Sequence, residues 1–312
     1  MNTSEKLGTA PDAVYSPWEA RVGSWQELEV HLRNLFHHHD RQMLWRGARD
    51  ARWGVFSSLY RTLNDDLGRP PTEGEMARSE KEIFKIARRD WRYDNMPGME
   101  LLAHLQHFGA PTRLLDVTYN PMVALWFAVE GSDDSVDARL FAFARPKDVV
   151  TLKNDWHGRQ VPWIDWNTTA TRTVNQWGTG RRRLVWRPPA YNPRIMSQNA
   201  AFMLDGVPFD FERSKADEQR PWERSGMTLN EWKKVASMSF QLSQIERPPL
   251  SEQSAPAFTL RIDARAKAEI RRLLEERYGY RSSTIYSDMS GLAHFVVANM
   301  GAIEKKAVTR AP

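Results

Sequence analysis

Apolar residues recur along this chain with two different periods, and their spacing divides it into helices and strands. After Ser24, Leu28, Leu32, Leu35 and Phe36 mark one helical face, and Ser24 with Glu27 has the spacing of a capping box. The polar run His37-His38-His39-Asp40 ends that helix. Met43–Trp45 predicts a short strand that delivers Arg46-Gly47 at its exit. A long charged helix is expected over Glu73–Trp91, with Ile83, Phe84, Ile86, Ala87 and Trp91 as its apolar set. Met99–Phe108 reads as another helix, carried by Leu101, Leu102, Leu105 and Phe108 and stopped by Gly109 and Pro111. Leu114–Val117 has the character of a buried strand, and Asn120-Pro121 supplies an N-cap and a first-turn proline for a helix through Val129. Ala138–Ala144 alternates as a strand, while Arg194–Leu204 and Phe258–Ile262 look extended. Asp263 then caps an amphipathic helix to Tyr278, and Leu292–Met300 forms a last short one. This irregular order predicts an α+β fold, with mixed or antiparallel sheets and flanking helices, rather than a doubly wound parallel sheet.

Composition narrows the class. The chain has 312 residues, 41% hydrophobic and 27% charged, which is globular and allows one or two domains. No apolar run approaches the roughly 18 residues a membrane helix needs. The first residues lack a basic segment followed by an apolar one, so the expected location is the cytoplasm, away from membranes. There is no cysteine, which excludes disulfides and thiolate chemistry and agrees with a reducing compartment.

The net charge of +5 is modest, but its distribution is uneven. Between Trp166 and Leu204 there is no Asp or Glu, while Arg172, Arg181, Arg182, Arg183, Arg187 and Arg194 all fall there with Trp177 and Trp186. Trp156 and Trp163 lie just upstream. Interleaved arginine and tryptophan suit phosphate neutralisation and base stacking, so these residues are candidate nucleic-acid contacts. A solvated basic loop whose tryptophans cover the core is an equal alternative.

Phosphate-cradling glycine loops, dinucleotide fingerprints, zincin helices and serine elbows are all missing. Gly178-Thr179-Gly180 before three arginines is at most a weak anion nest. Adjacent histidines on a helix point in different directions, so His37–His39 reads as a polar helix end and no metal is expected. Two segments carry the concentrated chemistry. In LWRGARDARWGVFSSLYR, residues 44–61, an arginine followed by glycine can bring a guanidinium and open backbone to a phosphate or ribose. In residues 101–128, Gln106, His107, Thr112, Arg113, Asp116, Thr118 and Tyr119 crowd polar groups into an otherwise apolar helix–turn–strand–helix unit. Arg113 and Asp116 pairing across the turn, with His107 capping its helix, is the structural alternative.

These segments resemble the FRG domain, named for an aromatic-Arg-Gly motif represented here by Trp45-Arg46-Gly47. Trp53, Ser58-Leu59 and Arg61 continue the pattern, and residues 106–118 follow the family closely, with Val117 where Trp is common. Residues 194–202 are similar to its later strand, without the glycine usual after Gln198, and residues 285–293 to its closing turn. The resemblance implies a flexible segment over 1–23, an FRG domain over 24–300 with an Arg/Trp-rich insertion near 151–192, and a tail over 301–312. It further implies an ADP-ribosyltransferase-like fold with NAD as substrate. Arg46 then stands for the first-strand arginine that holds NAD, Thr118-Tyr119 for the Ser/Thr strand, and Gln198 for the acid or amide of a later strand. His107 joins Arg46, Thr118 and Gln198 as a catalytic candidate. Arg46, Gly47, Arg61, Thr112, Arg113, Asp116, Thr118 and Tyr119 are the cofactor-binding candidates. The expected function is a bacterial toxin or anti-phage effector that modifies nucleic acid, RNA before DNA or protein, with an antitoxin or inhibitor as partner. The alternatives are a non-catalytic nucleotide or nucleic-acid sensor and, further off, a metal-free nuclease using His107.

Overall fold

Alternation along the strands explains how one sheet comes to divide two cores. The computed structural model describes residues 11–131, 133–145, 158–181, 183–190, 192–212, 220–247, 256–301 and 303–304. The chain opens with α1 (Pro11–Tyr15), β1 (Glu19–Val22), α2 (Trp25–His38) and β2 (Met43–Ala48). It continues through α3 (Ser58–Leu67), α4 (Glu73–Arg89), α5 (Gly98–His107), β3 (Leu115–Thr118), α6 (Pro121–Val129) and β4 (Ala138–Ala144). After α7 (Thr169–Val174), β5 (Leu184–Trp186), α8 (Pro193–Ser197) and β6 (Ala200–Leu204) come α9 (Pro221–Arg224), α10 (Leu229–Trp232) and β7 (Gln241–Leu242). The last elements are β8 (Pro256–Ile262), α11 (Ala264–Arg277), α12 (Ser282–Ile285) and α13 (Met289–Ala298).

The strands form one sheet in the order β1-β8-β4-β2-β3-β6-β5, with β7 also on β8. The pairings of β8 with β1 and with β7 are parallel and the rest are antiparallel, so the fold is α+β with a mixed sheet and flanking helices. In β4 all seven residues are buried, because both faces are covered. Leu140 and Ala142 enter a core with α2, α6 and α11, whereas Phe141 and Phe143 enter a second core with Trp222, Trp232 and Phe240. A third cluster gathers Phe84, Leu102, Trp163, Trp177 and Trp186 beside α4 and α5.

Local signals fixed several elements. Ser24 accepts a hydrogen bond from the Glu27 amide, but the Glu27 carboxylate reaches back to Gly23 rather than to Ser24. Asn120 accepts from the Met122 amide at 2.9 Å and starts α6 as expected. Other expectations are corrected. Residues 11–22 are not loose: β1 pairs with β8, and Glu19 and Asp12 each lie 2.9 Å from the buried Arg139 guanidinium. Arg46 lies within β2 rather than at its exit. Phe36, Ile86, Trp91 and Phe108 are exposed; α4 buries Phe84 and Ala87 as expected, and with them Met76, Ala77, Glu73 and Glu80. Residues 194–204 are not one extended run. Asn192 and Pro193 cap and open the short α8, and only then does β6 begin.

Candidate functional site

A single register pair, Trp45 with Thr118, joins β2 to β3. Where that ladder stops, the Arg46 guanidinium donates to the Asp116 carbonyl oxygen at 2.8 Å. A cleft of about 1120 Å³ opens here, bounded by β2, β3, β6, α5, α6 and the C-terminal helices. Arg46, His107, Thr118 and Gln198 all border it, although they come from four separate parts of the chain. A side pocket of about 240 Å³ adjoins it and shares Arg46, Gln106, Gly109 and Asp116, with Arg61 and Ser58 on its far wall.

The floor is electrostatically tense. Burial pushes the Arg46 and Arg61 guanidinium groups below their ordinary range, with Asp116 acting in the opposite direction on both and Arg61 adding to the strain on Arg46. The Asp116 carboxylate also accepts from the Gln106 amide at 2.6 Å. Asp116 acts on both guanidinium groups and Asp65 on Arg61 as well, so the two arginines are held as a half-buried pair that an entering anion can bridge by charge-assisted hydrogen bonds.

Thr118 lies in the wall as a link between strands. Its hydroxyl donates to the Gln198 carbonyl at 2.6 Å and accepts from the Asn120 amide at 2.9 Å. Gln198 stands at the end of α8, one turn before β6 rather than on the strand itself. Its side-chain amide donates to the Ile285 carbonyl at 3.1 Å, leaving its oxygen as the group able to accept. His107 does not cap α5. Its Nε2 lies 2.9 Å from Asp288 and 3.3 Å from the Asn192 amide. Burial, with Arg194 nearby, pushes the imidazole pKa below its ordinary value, and Asp288 opposes that shift.

Several proposed ligand residues have structural work instead. Gly47 borders the cleft, but a Cβ there would meet the Ala124 carbonyl oxygen at 1.9 Å, so its bare face admits α6 rather than a phosphate. Arg113 is 2% exposed and is held by Glu73 at 2.8 Å and Glu80 at 2.7 Å, not by Asp116. Thr112 is buried. Its backbone anchors Leu59 and Ser58 of α3, and its hydroxyl meets Gln106. Tyr119 packs into the second core beneath Arg187 and does not border the cleft.

The Arg/Trp stretch turns inward as well. Trp177 and Trp186 are buried in the third cluster with Arg172 beside them, and Arg183 is buried over the Phe143 ring of the second core. Arg172 reaches the Trp177 and Val207 carbonyl oxygens. Its counter-charges come from Glu73 and Asp205, which flank or precede the acid-free stretch. Arg181 and Arg187 are exposed and Arg194 is half-buried, its guanidinium 4.7 Å above the Tyr286 ring. Arg182 and Trp156 lie outside the described residues. Among the described residues no three His, Asp or Glu side chains gather as a metal would require, and His39 is buried beside Phe258. Among them, too, no helix is long and apolar enough to cross a membrane.

Two cleft residues were not among the candidates read from the sequence, although Tyr286 lies in the segment that resembles the family's closing turn. Glu130 ends the apolar α6, and Tyr286 follows α12 more than 150 positions later; the Tyr286 hydroxyl lies 3.0 Å from the Glu130 carboxylate. Only the fold brings them together.

Residues 41–137, from the approach to β2 up to β4, match the family model of the FRG domain. The matched segment contains Arg46, Arg61, Gln106, His107, Asp116, Thr118 and Glu130 and excludes Gln198. No curated protein and no solved structure matches the chain.

Proposed function

We propose that this protein is an NAD-dependent ADP-ribosyltransferase whose mixed sheet is a variant of the ADP-ribosyltransferase-like fold, with the FRG domain spanning about 24–300. The supporting observation is that Arg46, Thr118 and Gln198 border one cleft despite lying up to 152 positions apart. Arg46 and Arg61 hold the pyrophosphate of NAD by charge-assisted hydrogen bonds, with Asp116 setting their orientation. Thr118 fixes the turn that carries Gln198, and the free side-chain oxygen of Gln198 accepts from a ribose hydroxyl. Consuming NAD harms the cell that makes the protein. That fits a bacterial toxin or anti-phage effector held by an inhibitor protein and acting in the cytoplasm. Among the described residues, support for a nucleic-acid acceptor comes from Arg181, Arg187 and Arg194, since Trp177 and Trp186 are buried away from any incoming base.

A sensor that binds NAD without cleaving it is the second reading. It is favoured by the amide at Gln198, which carries no charge to steady a cationic transition state. Calorimetric titration with NAD, paired with an assay for released nicotinamide, separates the two. Arg46→Ala should weaken NAD binding at least roughly tenfold, the loss of one charge-assisted hydrogen bond, while the protein stays folded. Normal binding by that variant rejects the assignment, and binding by the parent protein without nicotinamide release selects the sensor.

A further inference from the structure

The cleft needs a negative charge that Gln198 does not provide, and its carboxylates are not equivalent. Asp116 is engaged by the Gln106 amide and faces both floor arginines. Asp288, which stands behind His107 and does not line the cleft, caps α13 through the Gly291 amide at 2.7 Å. Glu275 is exposed on α11. Glu130 differs from all three. It is half-buried at the end of α6 and borders the cleft, and its close contact is a neutral phenol. The Tyr286 hydroxyl lies 3.0 and 3.1 Å from its two oxygens, while Arg49 and Arg194 act on it only through space.

The same C-terminal turn ties Glu130 to the proposed reaction centre. The Ile285 carbonyl receives the Gln198 amide at 3.1 Å and the Ser197 hydroxyl at 3.2 Å, and the next residue is the Tyr286 that holds Glu130. The Tyr286 ring also packs edge-on against Trp126 and Phe127 of α6, which fixes the phenol relative to the helix that carries Glu130.

We propose that Glu130 is the catalytic carboxylate of this cleft, steadying the positive charge on the ribose of NAD as nicotinamide departs and then accepting the proton of the incoming nucleophile. The proposal rests on the NAD reading above. In the step, the C1′–nitrogen bond breaks and its electron pair passes to the pyridinium nitrogen, so nicotinamide leaves neutral. A lone pair on the acceptor forms the new bond to C1′, and the acceptor's proton moves to Glu130 and on to solvent. With water as the acceptor the products are ADP-ribose, nicotinamide and a proton. Burial pushes the Glu130 carboxyl above the ordinary carboxylate range, against the phenol hydrogen bond and the two arginines. A carboxylate whose charge is under-compensated in the free protein gains most from a cation that exists only in the transition state.

The test measures nicotinamide release and NAD affinity for the full chain and for Glu130→Gln and Glu130→Asp. The glutamine can keep a hydrogen bond to Tyr286, and a melting curve for each variant verifies folding. Glu130→Gln should lower turnover by about 100-fold or more while leaving the NAD dissociation constant within roughly threefold, with Glu130→Asp intermediate. Turnover of folded Glu130→Gln within roughly threefold of the parent overturns the proposal. So does a loss of affinity that accounts for the whole loss of rate, because a purely structural role gives that pattern. If Glu130→Gln does not fold, Glu130→Asp decides by the same split between turnover and affinity. A parent protein that binds NAD without releasing nicotinamide overturns this proposal but leaves the sensor. One that does not bind NAD overturns both readings.

Discussion

At position 47 a Cβ would lie 1.9 Å from the Ala124 carbonyl oxygen and 2.6 Å from the Ala128 amide nitrogen, both backbone atoms of α6. Backbone cannot step aside as a flexible side chain can, so the whole helix would have to move off β2. Arg46 and Gly47 therefore divide their work: the arginine borders the cleft and the glycine sets the distance of the helix beneath it. Gly47→Ala should cost about 1–3 kcal/mol or more, the scale of overpacking a well-filled core, and urea unfolding measures it. A variant with the parent's unfolding midpoint would show that α6 does not need the bare backbone. The aromatic-Arg-Gly motif marked this spot in the sequence, but the reason for its glycine is a contact with residues 77 and 81 positions further on. Only the arginine half of the motif could be interpreted from residue chemistry.

The elements best read in advance are those whose signals are local. β4 occupies the residues assigned to it because its alternation meets two cores, and α6 starts at the Asn120-Pro121 cap. α4 was legible as a helix, and Phe84 and Ala87 as part of its buried face, but not the two glutamates that share that face. Glu73 and Glu80 are seven residues apart on one face, and their charge looks solvent-directed until Arg113 arrives from beyond α5. Trp177 donates to Glu73 at 3.0 Å and Trp163 to Glu80 at 3.1 Å, so the cluster also draws in the segment expected to bind nucleic acid. The same distance effect hid β1, whose partner β8 lies 240 positions away in register. Arg113→Ala strands two buried carboxylates and should destabilise the protein by about 3–5 kcal/mol in chemical denaturation. A melting temperature equal to the parent's would return Arg113 to the list of ligand candidates.

For the whole molecule, the acid-free Arg/Trp stretch is balanced in space by a residue just outside it, and this makes stability depend on pH. Asp205 follows β6 and is buried, with one oxygen accepting from the Gly178 and Gly206 amides at 2.7 Å each. Its other oxygen has no hydrogen-bond partner among the described residues. Burial raises its pKa to about 7, against the two amide bonds and the Arg172 charge. In the unfolded chain an aspartate titrates near 4. Below about pH 4 the group is protonated in both states and its burial carries no pH-dependent cost. Between about 4 and about 7 the unfolded chain has released a proton that the folded protein retains. The contribution of Asp205 to stability therefore falls as pH rises through that window, by at most about 1.4 kcal/mol per pH unit, and levels off above it. Asp205→Asn keeps an acceptor for the two amides and has no proton to lose. Urea unfolding of both proteins at several pH values across that window should show the parent losing stability relative to the variant as pH rises. Parallel curves would mean that Arg172 and Arg183 already neutralise Asp205, with the sheet edge closed by a true ion cluster rather than a protonated acid.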